Sequence, residues 1–135
     1  MGDFAEKNGI MNGIDLIVPV PLYPSKLREK RYNHAELLAR ELSAKYNIPC
    51  NAKGLKKIRW TVSQSKLDRK KRSENVRGAL LAVDKKAFYG RGILLVDDVF
   101  TTGATLNECA KTLVEAGATS VSSFTLARPY SQLLT

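Results

Sequence analysis

Short runs that are apolar at every position alternate along this chain with longer stretches that are apolar every third or fourth residue. Ile14-Asp15-Leu16-Ile17-Val18-Pro19-Val20 predicts a buried strand, stopped by prolines at 19, 21 and 24. A helix should follow. Asn33 is its candidate N-cap, and Glu36 stands three residues on, the spacing of a capping box. Ala35, Leu38, Ala39, Leu42 and Tyr46 then share one helical face, until Asn47 and Pro49 end the run. Leu55–Ile58 and Leu80–Val83 predict two short strands, and Gly90 and Gly92 punctuate the turn after the second. Between them Ser65 and Asp68 have capping spacing for a short helix.

Ile93-Leu94-Leu95-Val96 is apolar on both faces, as a central parallel strand covered by helices on each side must be. Leu106, Cys109, Ala110, Leu113 and Val114 make another helical stripe, with Gly117 suited to the residue just past its end. Val121–Ala127 returns as a strand. Strand, helix and strand in this order predict an α/β fold built on a parallel sheet, with right-handed crossovers and helices on both faces.

Length and composition narrow the class. The 135 residues suit one compact domain spanning 1–135, and 44% hydrophobic with 26% charged residues describes an ordinary globular chain. The longest apolar run, Ala79–Val83, is far too short to cross a bilayer, and no membrane partner is expected. The N-terminus lacks the basic-then-apolar order of a secretory signal, so a cytoplasmic setting is the expectation. Cys50 and Cys109 stand far apart, which indicates neither a zinc site nor a disulfide framework. Cys109 falls on a helical apolar stripe and is expected in the core.

The net charge of +9 is uneven: residues 26–77 hold 16 of the 22 Lys and Arg but only 5 of the 13 Asp and Glu. An excess confined to one stretch suits a polyanionic partner, either pyrophosphate or nucleic acid phosphates. A merely solvated basic face has the same composition, so charge alone does not choose.

The chemistry concentrates after the central strand. In open α/β sheets ligands sit beyond the carboxyl ends of the strands, where Asp97 and Asp98 fall. Carboxylates accept hydrogen bonds from vicinal hydroxyls such as those of ribose. Thr101-Thr102-Gly103-Ala104-Thr105 then turns the chain into a helix, supplying hydroxyls, a glycine and free N–H groups at a helix N-terminus. Such a cup binds a phosphate dianion. A diol-binding carboxylate pair just before a phosphate cup matches a 5-phosphorylated ribose. The Gly-rich lysine loop of nucleotide triphosphatases and the Gly-x-Gly-x-x-Gly of dinucleotide folds are both absent. A purely structural reading, with Asp97 serving the helix dipole and Thr102 or Thr105 serving as caps, leaves the combination of residues unexplained.

Leu94-Leu95-Val96-Asp97-Asp98-Val99-Phe100-Thr101-Thr102-Gly103-Ala104-Thr105 resembles the signature of type I phosphoribosyltransferases. The closer likeness is to the ComF branch, associated with DNA uptake and related to glutamine amidophosphoribosyltransferases. It extends from about Asp15 to Arg128, through Val18-Pro19-Val20-Pro21-Leu22 with Asn33 and Glu36–Ala39, and through Gln64, Leu67, Arg72, Asn75-Val76 and Gly78-Ala79. Where relatives commonly have Arg-Gly-Phe-Asn-Gln, this chain has Lys30-Arg31-Tyr32-Asn33-His34. The resemblance implies the phosphoribosyltransferase type I fold. With 1–14 as an N-terminal extension, the acceptor-binding hood is expected to be reduced or absent, and the upstream zinc module common in the family is not seen.

The resemblance also assigns roles. Asp97 and Asp98 would hold the ribose hydroxyls of phosphoribosyl pyrophosphate, and Thr101 to Thr105 its 5-phosphate. Pro21, Leu22 and Tyr23 would contact pyrophosphate through their backbone, with Lys26 or Arg28 nearby. Residues 59–77 would form a basic mobile loop contributing Arg69 and Arg72. Magnesium would arrive with the substrate, and pyrophosphate would leave as an unknown acceptor attacks the ribose. Two other readings remain: binding without turnover, and single-stranded DNA or DNA-uptake proteins as partners of the basic surface. A homodimer is common among relatives.

Overall fold

A computed structural model of the chain describes residues 13–22, 33–58, 78–99 and 104–127. In chain order the elements are β1 (Leu16–Pro19), α1 (His34–Tyr46), β2 (Leu55–Lys57), β3 (Leu80–Ala82), α2 (Lys85–Phe88), β4 (Gly92–Val99), α3 (Ala104–Glu115) and β5 (Ser120–Ala127). Strands β1, β4 and β5 form a parallel sheet with β4 in the centre, Leu16 level with Ile93 and Gly92 level with Ser120.

Side-chain alternation divides the core into two layers. Leu16, Val18, Ile93 and Leu95 point to one face, where Leu106, Cys109 and Leu113 of α3 cover them. Ile17, Leu94 and Val96 point to the other, against Leu38, Ala39 and Leu42 of α1. The expected helices on both faces of an apolar central strand are therefore present. Cys109 is fully buried, as its place on the stripe predicts. Val114, assigned to the same stripe, is instead 54% exposed and borders the covered face.

Strand β1 is protected on its outer side. Ile17 donates to Pro49 O at 2.8 Å and accepts from Asn51 N at 2.9 Å, so the segment after α1 covers what would be a bare edge. Val20 N donates inward to Val96 O at 2.8 Å. By strand alternation the missing N–H of Pro19 falls on the outer side, where it costs no ladder bond with β4.

Two local expectations change. Asn33 caps α1 by accepting from Ala35 N at 3.0 Å, but the Glu36 carboxylate takes Arg40 Nε at 3.1 Å, one turn on, in place of the reciprocal half of a capping box. The strands near 55–58 and 80–83 pair with each other antiparallel, Leu55 opposite Ala82, in a separate two-stranded ribbon. Helix α2 has no counterpart in the sequence pattern; four residues are too few for an apolar period to show.

Helix α3 closes with paired carbonyls. Gly117 N donates to Val114 O at 2.9 Å and Ala118 N to Leu113 O at 3.1 Å, a Schellman end with Gly117 at φ +105. A side chain at 117 would be strained there and would meet the Tyr89 ring. Gly117→Ala should therefore lower unfolding stability by about 1–3 kcal/mol, measured by urea titration with an unchanged m-value.

Candidate functional site

Strand β4 outlasts its neighbour. β1 ends at Pro19, level with Val96, while β4 and β5 stay paired to Val99 and Ala127. Asp97 thus lies one residue beyond the last β1 pairing, half-buried, level with Thr125. Asp98 lies within β4, and its backbone alone is described. Helix α3 begins at Ala104, which leaves residues 100–103 to join strand and helix. A strand therefore ends just before these residues and a helix begins just after them, in the order the sequence predicts.

Asp97 shares the α3 side of the sheet with Ile93 and Leu95 by alternation. Its nearness to that helix shows in the Cys109 thiol. Burial pushes that thiol far above its ordinary range, the Asp97 carboxylate raises it further, Lys57 pulls against both, and Glu108 adds a smaller push upward. Thr105 precedes Cys109 by one helical turn and is half-buried, so Asp97 and Thr105 both stand on the Cys109 side of the sheet.

The described residues that bracket 23–32 and 59–77 are tied to one another and to the sheet and its helices. Pro21 and Leu22, both half-buried, leave the sheet next to Val20. The Asn33 side-chain amide donates to Val20 O at 3.0 Å, which brings the start of α1 back to the end of β1 and closes the base of the 21–32 segment. The ribbon does the same for 59–77: Ile58 N donates to Ala79 O at 2.7 Å. Gly78 N donates to Glu108 Oε1 at 3.1 Å, fastening that base to α3.

Of the residues singled out from the sequence, Asp97, Thr105, Pro21 and Leu22 are placed around the carboxyl end of the sheet. Asp98 and Ala104 are placed by backbone. Tyr23, Lys26, Arg28, Arg69, Arg72, Thr101, Thr102 and Gly103 lie outside the described residues. Sequence reasoning misses three contributors. Asn33 reads as a cap only, although it also spans to Val20. Lys57 shares the inner face of β2 with buried Leu55, a period-two signal too short to register. Glu108 adjoins the core position Cys109, and nothing in its spacing marks it as the partner of Gly78.

The buried thiol has a measurable consequence. Folded Cys109 keeps its proton at pH values where the unfolded thiol, near 9.0, has lost it. Its contribution to stability is complete below that value and falls as pH rises above it, by up to about 1.4 kcal/mol per pH unit. Cys109→Ala should flatten the alkaline limb of a stability-against-pH curve, as urea unfolding above pH 9 will show.

Comparison with known proteins agrees with this architecture. Residues 33–134 match the phosphoribosyl transferase domain. Competence protein F of Haemophilus influenzae is 41% identical over 115 residues, covering 84% of this chain and 50% of that protein. Competence protein ComFC of Bacillus subtilis is 37% identical over 115 residues, covering 84% and 44%. The DNA utilization protein YhgH of Escherichia coli is 32% identical over 114 residues, covering 84% and 49%. The chain thus spans about half the length of the curated relatives it matches. The crystal structure of TT1426 from Thermus thermophilus superposes with a TM-score of 0.50 at 12% identity, over 96% of this chain and 81% of that one, and shares the fold. With its parallel sheet, its layered helices and three quarters of its length inside one domain match, the chain belongs to the phosphoribosyl transferase domain family, as a ComF-type member with the type I fold.

Proposed function

We propose that this protein binds phosphoribosyl pyrophosphate at the carboxyl end of β4 and transfers its phosphoribosyl group to an acceptor with release of pyrophosphate. The supporting observation is the continuity of the central strand carrying Asp97 and Asp98 with a helix that opens at Ala104. The first four N–H groups of a helix have no partner within it and favour an anion. In this reading Asp97 and Asp98 accept hydrogen bonds from the ribose hydroxyls, and residues 101–105 hold the 5-phosphate. The backbone of Pro21, Leu22 and Tyr23 meets pyrophosphate, with Lys26, Arg28, Arg69 and Arg72 as cations against its charge.

Magnesium enters the reading with the substrate. Among the described residues no three His, Cys, Asp or Glu side chains gather to hold a metal. Asp97 supplies one hard oxygen donor of the kind magnesium accepts, so pyrophosphate oxygens would provide most of the remaining ligands. The bound ion would offset negative charge on the leaving group.

Relatives named for competence and DNA utilization favour a second reading, in which the protein serves DNA uptake by binding the same ligand without turnover, or by binding single-stranded DNA through the basic stretch 26–77. Salt separates the two: a DNA complex held by charge weakens steeply with ionic strength, whereas a preformed cup does so less. Among the described residues no helix is long and apolar enough to cross a membrane.

Calorimetric titration of the whole chain with magnesium and phosphoribosyl pyrophosphate tests the proposal. The parent should bind, and Asp97→Asn combined with Asp98→Asn should weaken binding by about 10- to 100-fold. Equal affinity in both proteins refutes the assignment. Pyrophosphate released on adding candidate amines or bases separates a transferase from a binding protein.

A further inference from the structure

A cationic recess lies at the opposite end of the sheet. It is a shallow groove of about 380 Å³ whose wall includes Leu16, Arg40, Cys50, Asn51, Lys53 and Arg91. Leu16 opens β1, Arg91 immediately precedes β4, and Cys50 bridges Ile17 on the outer side of β1. Along β4, Arg91 and Asp97 are roughly 20 Å apart at the usual rise per residue. The groove is therefore separate from the Asp97 end.

Among the described residues its lining holds three cations and no carboxylate, and the Glu36 carboxylate beside Arg40 is near enough to act on Cys50. Glu36 takes Arg40 Nε at 3.1 Å from outside the groove and leaves the two terminal amino groups of that guanidinium available. Among the described residues, Lys53 and Arg91 pair with no carboxylate. Like charges around one concave surface raise one another's energy and favour an anion between them.

The turn bearing Lys53 is fixed in advance. Asn51 Oδ1 accepts from Lys53 N at 3.1 Å and from Gly54 N at 2.7 Å, while Asn51 N donates to Ile17 O at 2.9 Å. Val83 N donates to Gly54 O at 2.8 Å, and Gly54 packs so closely that a side chain there would collide with the Phe88 ring and crowd Asn51. A cation held on such a turn loses less freedom when a ligand arrives. Pro49 and Ala87 add apolar wall beside the charges, and the volume lies at the lower end of small-ligand sites.

We propose that this recess is a second anion site, taking a phosphate group borne by a nucleotide or by a nucleic acid strand, with Lys53, Arg91 and the outer amino groups of Arg40 as donors. Arginine forks and a lysine point charge together suit phosphate oxygens. The site stands independently of the function proposed for the Asp97 end.

Cys50 provides the readout. It is half-buried in the groove, whereas Cys109, the only other cysteine, is buried. Maleimide labelling of Cys50 in the whole chain, followed by mass spectrometry, reports occupancy without any activity. The probes are pyrophosphate, adenosine monophosphate and a short thymidine oligonucleotide. At about ten times the dissociation constant, a bound probe should slow labelling about tenfold relative to the same protein without probe. Lys53→Ala with Arg91→Ala should lose that ratio, and Lys53→Gln alone should reduce it. Both side chains are exposed, and a thermal unfolding curve checks the fold of each variant. Asp97→Asn with Asp98→Asn should keep full protection. Protection by the monophosphate alone identifies a free nucleotide, and protection by the oligonucleotide alone identifies a strand; either sustains the site. No protection by any probe overturns it, as does protection that survives the Lys53 and Arg91 changes or vanishes with Asp97 and Asp98.

Discussion

Much of this structure depends on the burial of β4 on both faces while both its edges are paired. Leu94 and Val96 fill one layer, and Ile93 and Leu95 the other. Such a strand has no room for a charge along its middle, because an unpaired buried carboxylate would cost several kcal/mol or neutralise. Polar residues can appear only where the cover ends. The early stop of β1 at Pro19 creates that place on one edge, and Asp97 occupies the next position. The candidate chemistry stands at the first point where β4 permits it.

The connecting segments are then organised by their bases. Asn33 reaches Val20, Ile58 meets Ala79, and Gly78 is fastened to Glu108. Closing a loop costs entropy that grows only slowly with its length. Few bonds at each base therefore suffice to bring the two ends of each segment together. The ribbon of β2 and β3 has this role for 59–77. Its antiparallel pairing returns the chain to within a hydrogen bond of its departure, which a parallel pair cannot do without a long crossover.

The core was legible because burial imposes a period. Four consecutive apolar residues at 93–96 announced a strand covered twice, and Leu106, Cys109 and Leu113 announced the helix that covers it. The polar break at Asp97 was legible because it directly follows that apolar run, where packing gives no reason for a carboxylate. The pairing of β2 with β3 was not legible. Three-residue strands carry too little alternation to name a partner, and 19 residues separate Ile58 from Gly78. Contacts such as Glu108 with Gly78 span 30 residues, and local pattern has no access to them. Glu36 shows the same limit over a short distance. Capping spacing and i, i+4 ion-pair spacing to Arg40 coexist, and the ion pair is the one formed.

Charge at the carboxyl end of the sheet poses a problem that the topology answers. Two adjacent carboxylates at 97 and 98 would repel any phosphorylated ligand if they stood alone. Both helices that cover the sheet start at this end: α1 beside Val20, to which Asn33 is bonded, and α3 just after β4. Each helix start carries roughly half a positive charge from its aligned peptide dipoles. Lys57 adds a full charge close enough to act on the same thiol as Asp97. Parallel strands joined by helices cannot avoid this arrangement, since each helix that follows a strand must begin where the strand ends. The sheet direction that brings Asp97 and Asp98 to the rim therefore also brings the compensating positive ends, which the proposed binding of a phosphorylated sugar requires.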